Sequence, residues 1–155
     1  MLIFLDFDGV LQSAYAVHQE HIFNRLPFSQ VPIFEAFFRQ PKFEHFEFVI
    51  SSTWRCGYTL AQLRTVFSPE FRMRIIGKTP EDVATSPIGS REQEILQYLR
   101  DVGREDEMWL ALDDVHSYFD RYMNRVFFCT SLTGLTEQDL PQLATWIESH
   151  GLLKK

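Results

Sequence analysis

Asp6 and Asp8 stand two residues apart in Asp6-Phe7-Asp8-Gly9, directly after the apolar run Leu2-Ile3-Phe4-Leu5. Side chains alternate along an extended backbone, so both carboxylates point to one side, and Gly9 lets the chain turn sharply after them. Two carboxylates held together repel unless a cation neutralises them. Oxygen-only ligands favour Mg2+ over zinc, for which the sequence offers no Cys/His cluster. Asp113 and Asp114 follow a second apolar run and would complete the oxygen shell, while Ser51-Ser52-Thr53 follow a third. A D-x-D-G segment alone is also what a polar turn after a strand looks like. Acids after two apolar runs, hydroxyls after another and a cation ahead of a helix form a grouping that a turn does not explain.

For these groups to meet, the apolar runs must be neighbouring strands. The runs alternate with helix-period segments, the pattern of a parallel sheet covered by helices on both faces. Strands are predicted at 2–5, 46–50, 74–76, 109–112 and 125–128. Ligands of such open sheets bind beyond the carboxyl ends of the strands, which is where the polar clusters lie. The clearest helix opens at Ser90, where Ser90 and Gln93 have capping-box spacing; Ile95, Leu96, Leu99 and Val102 make its apolar face and Gly103 its stop. A second begins at Thr136, with Leu140, Leu143 and Ile147 facing inward and Gly151 after its end. Shorter helices are predicted at 33–39, at 59–67 behind a Thr59 N-cap, and at 115–121. Segment 12–31, between the first strand and the first helix, has the length of a flap over the site.

The 155 residues, 45% of them hydrophobic, fit one domain spanning 1–155 and exclude wholesale disorder. No repeat or low-complexity tract suggests a second unit. The 15 phenylalanines are read as core. A formal charge of -6 opposes a broad basic surface for nucleic acid and leaves only a local groove for such a partner. Cys56 and Cys129, with no CxxC spacing, are expected to be free thiols in a reducing compartment, by default the cytoplasm. The apolar opening is too short for a signal segment or a membrane span, so no membrane partner is expected.

Apolar-D-x-D-G-V at the start, apolar-S-S after the second strand and apolar-D-D after the fourth together resemble the haloacid dehalogenase (HAD) superfamily, over nearly the whole chain. Within it, VISSTWR, IIGKTP, RxxEI and WLALDD resemble the small phosphatase-like domain associated with Swiss Army Knife RNA-repair proteins. The resemblance implies an α/β Rossmann-like three-layer sandwich with a mainly parallel five-stranded sheet and no large cap. It also implies a Mg2+-dependent phosphatase in which the Asp6 carboxylate attacks phosphorus and water later releases phosphate, with Asp8 as acid and then base. Metal ligands would be the Asp6 side chain, the Asp8 carbonyl and Asp114, with Asp113 in a supporting or water-mediated place. Ser51 would hydrogen-bond a phosphoryl oxygen, with Ser52 as the near alternative or a turn cap. For the phosphate-binding cation the pattern offers Arg91 or Lys78. Arg91 is preferred, because a positive side chain in a first helical turn opposes the helix dipole and needs a reason. A capless site implies a bulky phosphorylated substrate, such as a nucleic-acid end or a phosphoprotein.

Trp54 and Arg55 would stack on and pair with such a substrate, or else form a half-buried ring beside a solvated cation. His18 and His21 lie three apart without further Cys or His and make a poor metal site; His116 is expected at the surface. Two other classes compete: a phospho-accepting signalling module, opposed by the lack of an Asp after the 74–77 segment, and a catalytically silent binding module, opposed by the presence of Asp6 and Asp8 together.

Overall fold

The computed structural model describes residues 1–15 and 28–151. Five strands, β1 (Leu2–Leu5), β2 (Glu47–Ile50), β3 (Ile75–Lys78), β4 (Trp109–Asp113) and β5 (Val126–Phe128), form one sheet in the order β3-β2-β1-β4-β5, with every pairing parallel. The helices are α1 (Val31–Phe38), α2 (Leu60–Arg64), α3 (Pro69–Arg72), α4 (Ser90–Asp101) and α5 (Leu140–Ser149).

Alternation in the strands divides the core between two faces. Ile3 and Leu5 of β1 pack with Phe34 and Phe38 of α1, Leu63 of α2, Phe71 of α3, and Leu143 and Ile147 of α5. Leu2 and Phe4 point the other way, toward Ile95 and Leu99 of α4 and Trp109 of β4. Both faces are therefore covered, which completes three layers and explains why β1 is buried along its whole length. Most of the phenylalanines sit on the first face in edge-on or tilted contacts, such as Phe34 with Phe38 at 4.9 Å and with Phe71 at 5.5 Å. Burying each such side chain stabilises the fold by roughly 1.5–3 kcal/mol, so they are core as expected.

The register sets the site. Leu5 of β1 pairs with Ile50 of β2 on one side and with Leu112 of β4 on the other. The next residue in each strand, Ser51, Asp6 and Asp113, therefore falls in one row across the carboxyl edge. Backbone hydrogen bonds from Ser51 N to Leu5 O (2.8 Å) and from Asp6 N to Leu112 O (3.0 Å) pin that row.

Several sequence expectations shift. The third strand is Ile75–Lys78 instead of 74–76. It includes Gly77, where an added Cβ would sit 2.5 Å from Tyr98 Oη, so a larger residue there would push the Tyr98 side chain of α4 aside. Arg74 stands before the strand and donates to the carbonyls of Phe38, Phe43 and Phe46. The Ser90–Gln93 capping box does not form, because Gly89 at φ 70° occupies the N-cap and the Gln93 side chain reaches back to its carbonyl. Val102 lies past the end of α4 and is exposed. The 59–67 helix stops at Arg64, although Thr59 and Gln62 do form a capping box. The 115–121 helix is only a 3-10 turn, His116–Tyr118. Most of the predicted flap, residues 16–27, lies outside the described residues, as do His18 and His21. Among the described residues there is no large cap domain and no helix long and apolar enough to cross a membrane.

Candidate active site

Asp6 leaves β1 with 5% of its surface exposed, and its Oδ1 accepts the Phe7 N–H at 2.7 Å. Asp113, at the end of β4, is 1% exposed; its Oδ1 accepts the N–H groups of Asp114 and Val115 at 2.8 and 2.9 Å, which bends the chain so that Asp114 faces the cleft. Carboxylate oxygens of Asp6, Asp113 and Asp114 lie within 4.8 Å of one another. Gly9, at φ 79°, makes room for this: a Cβ there would lie 2.2 Å from the Asp114 carboxyl. A set of oxygens this dense, with no nitrogen or sulfur ligand among the described residues, fits a hard divalent cation.

The electrostatics agree. Burial first and then the charge of Asp113 hold the Asp6 carboxyl well above the usual carboxylate range, against the pull of Arg91 and the Phe7 N–H. Burial likewise lifts Asp113 to about 6, opposed mainly by Arg91. Burial alone would lower the Arg91 pKa, but the charges of Asp6, Asp113 and Glu94 outweigh it and raise it. One arginine thus leaves an excess of negative charge that a cation would neutralise.

Arg91, in the first turn of α4, is 4% exposed and points Nη1 at Asp6 Oδ1 and Asp113 Oδ2, 3.4 Å from each. Neither contact is a hydrogen bond, and Nη1 is a buried donor without a hydrogen-bond partner. Ser51 Oγ, in the row beside Asp6, is the second buried polar atom in that condition. Ser52 turns away and caps the following turn by accepting the Trp54 N–H at 3.3 Å. Lys78 ends β3 with its ammonium on the carbonyls of Arg55 (2.8 Å) and Tyr58 (3.2 Å), where it braces the turn after β2 instead of lining the cleft.

Asp8 is held differently. Its Oδ1 accepts Gln12 Nε2 at 2.6 Å and its Oδ2 accepts Trp54 Nε1 at 2.9 Å, so both carboxylate oxygens are oriented by neutral donors. Gln12 is itself fixed through Oε1 by the Phe28 N–H at 3.0 Å. Asp6, Asp8, Thr53, Arg91, Asp114 and Tyr118 border a cleft of about 200 Å³.

The family model described as the HAD domain in Swiss Army Knife RNA repair proteins matches residues 2–140. The chain belongs to this family. Comparison with curated proteins and with solved structures returns no match.

In this HAD domain the structure brings together Asp6, Asp8, Ser51, Arg91, Asp113 and Asp114, and it sets Ser52 and Lys78 to structural contacts nearby. Neither reading of Arg55 holds: it is buried, with Nη2 2.6 Å from Glu94 and Nη1 donating to Ser52 O at 3.0 Å. Trp54 is half-buried, stacked on Tyr58 and tied to Asp8. His116 is exposed and stacks on Phe128 with ring centroids 3.8 Å apart. Sequence reasoning missed Gln12 and Glu94. Their spacings, four residues after Asp8 and three after Arg91, were the available signals.

Proposed function

We propose that this HAD domain is a Mg2+-dependent phosphomonoesterase that passes the phosphoryl group through Asp6. The observation that carries the reading is the pair of buried donors beside the Asp6 carboxylate that lack a hydrogen-bond acceptor, Ser51 Oγ and Arg91 Nη1, the latter in ion pairs with Asp6 and Asp113 only. Burying polar groups without partners is costly, and a phosphoryl group at Asp6 would supply acceptors to both. The Asp6 and Asp114 carboxylates, with the Asp8 carbonyl, would hold Mg2+, which supplies positive charge to the nucleophile and the phosphoryl oxygens.

An Asp6 oxygen forms a bond to phosphorus as the bond to the leaving oxygen breaks. Arg91 and Ser51 hold the phosphoryl oxygens in line. Asp8, aimed by Gln12 and Trp54, gives its proton to the leaving oxygen. It then takes a proton from the water that attacks phosphorus, and Asp6 is regenerated as phosphate departs. Asp113, buried and bound to the Asp114 N–H, fixes the angle of Asp114.

The substrate proposed is a phosphorylated nucleic-acid end or a similarly bulky phosphomonoester. The RNA-repair description of the family and the absence of a large cap among the described residues support it. The unpaired thiols Cys56 and Cys129 support a reducing, cytoplasmic setting.

A second reading, a phosphate-binding module without turnover, draws on Asp8, whose oxygens are both occupied by N–H donors. Release of phosphate from an aryl phosphate and from phosphorylated oligonucleotides separates the two. Mg2+-dependent release that disappears with Asp6→Asn is expected of the phosphatase; phosphate binding with no release would establish the silent module.

A further inference from the structure

Arg91 does not set its own aim. Its Nη1 has no hydrogen-bond partner, and the contact on the other edge of its guanidinium is Glu94, whose Oε2 lies 3.7 Å from Arg91 Nε one turn along α4. Glu94 Oε1 is in turn 2.6 Å from Arg55 Nη2. Arg55 donates to the carbonyl of Ser52 at 3.0 Å and to that of Pro80 at 3.4 Å. The Tyr118 ring lies against the Arg91 guanidinium, with its centroid 5.0 Å away. All three charged residues are buried. A buried arginine–glutamate–arginine series therefore runs from α4 to the turn after β2, the turn that carries Ser51.

A guanidinium is a rigid planar fork, so fixing its Nε edge fixes where its other nitrogens point. Glu94 is the charged group on that edge of Arg91, and at 3.7 Å it acts as an ion pair that draws the Nε edge toward it against the pull of Asp6 and Asp113 on Nη1. Through Arg55 the same carboxylate ties the Ser51–Ser52 backbone to the frame of α4. The two unpartnered donors, Arg91 Nη1 and Ser51 Oγ, come from different elements, and Glu94 is the charged link between them.

We propose that Glu94 is a positioning residue that builds the two phosphate donors into one anion pocket. It touches neither substrate nor metal and acts through Arg91 on one side and Arg55 on the other. The proposal rests on the phosphatase reading for its catalytic consequence. Its binding consequence stands apart, because an anion pocket can be assayed without turnover.

The test measures binding of inorganic phosphate to the full chain by calorimetry in Mg2+, beside steady-state kinetics and thermal unfolding. Glu94→Gln keeps the shape and loses the charge; phosphate binding and kcat/KM are expected to fall roughly tenfold, mostly through KM, because the donors are misaimed while Asp6 and Asp8 are untouched. Arg55→Lys keeps the charge and loses the fork, and guards against a Glu94→Gln chain that fails to fold. It is expected to weaken phosphate binding several-fold with the far-ultraviolet spectrum retained. A lowered Tm with wild-type phosphate affinity and wild-type KM in either folded variant would overturn the proposal and leave Glu94 a stabilising residue. Weakened phosphate binding in a chain that shows no turnover even as wild type would uphold the pocket and overturn the phosphatase. A wild-type chain that binds no phosphate would overturn the pocket itself.

Discussion

Two groups of buried carboxylates in this molecule are treated in opposite ways. Glu35 and Glu92 are fully provided for: Glu35 accepts from the Ser68 N–H and hydroxyl and from Arg39, and Glu92 accepts from the N–H groups of Asp120, Arg121 and Tyr122. Each ties a loop to a helix. Asp6 and Asp113 are just as buried, but they are crowded against each other and against Asp114, and share one arginine that hydrogen-bonds to neither. Burial raises the pKa values of both, and for Asp6 the charge of Asp113 adds to it. Burial of an acid therefore does not mark a functional site in this fold. Burial with unmet charge does.

The contrast can be broken by substitution. The largest effect belongs to Asp6→Asn, which removes the proposed nucleophile and one crowded charge together. Phosphatase activity should fall by at least about a thousandfold, while Tm without metal stays level or rises, since a strained charge is gone. Glu92→Ala should do the reverse, lowering stability by roughly 3 kcal/mol in denaturant titrations as three backbone donors lose their acceptor, with activity per folded molecule largely kept. Trp54→Phe keeps the ring and deletes the N–H to Asp8; kcat should drop roughly tenfold with phosphate binding unchanged, because the proposed proton donor is misaimed and the pocket is intact. A Trp54→Phe enzyme with full kcat would show that Gln12 alone orients Asp8.

Much of the row at the carboxyl edge was legible in the sequence, because apolar runs set strand register and register decides which residue stands just past the end of each strand. Asp6, Ser51 and Asp113 come together for that reason. The third strand was misplaced because Gly77 reads as a terminator, whereas its parallel pairing with Val49 of β2 makes it a strand residue. Ser90 met the local rule for a cap, but the left-handed Gly89 had already taken that place. Arg55 was open to two readings, a substrate contact or a solvated cation, since nothing adjacent in sequence pairs with it; its partner Glu94 lies on α4, distant in sequence. Long-range pairing of this kind carries no periodic signal.

The direct test of the central claim is thermal unfolding with and without Mg2+ at pH 4.5 and pH 7.5. Because the folded pKa values of Asp6 and Asp113 are raised, that of Asp113 to about 6, the folded chain binds more protons than the unfolded one above the usual carboxylate range, so metal-free stability should fall as pH rises from there. Glu107, drawn down to about 2 by its hydrogen bonds from Arg104, works in the opposite sense at the low end of the window, where the unfolded carboxyl is still partly protonated, and adds nothing further above it. Mg2+ favours the ionised acids and should cancel the loss, giving a Tm gain that is clear at pH 7.5, small at pH 4.5 and absent in Asp6→Asn. A Tm indifferent to Mg2+ at both values, or an equal gain in the Asp6→Asn chain, would contradict the claim that these acids are held for a metal.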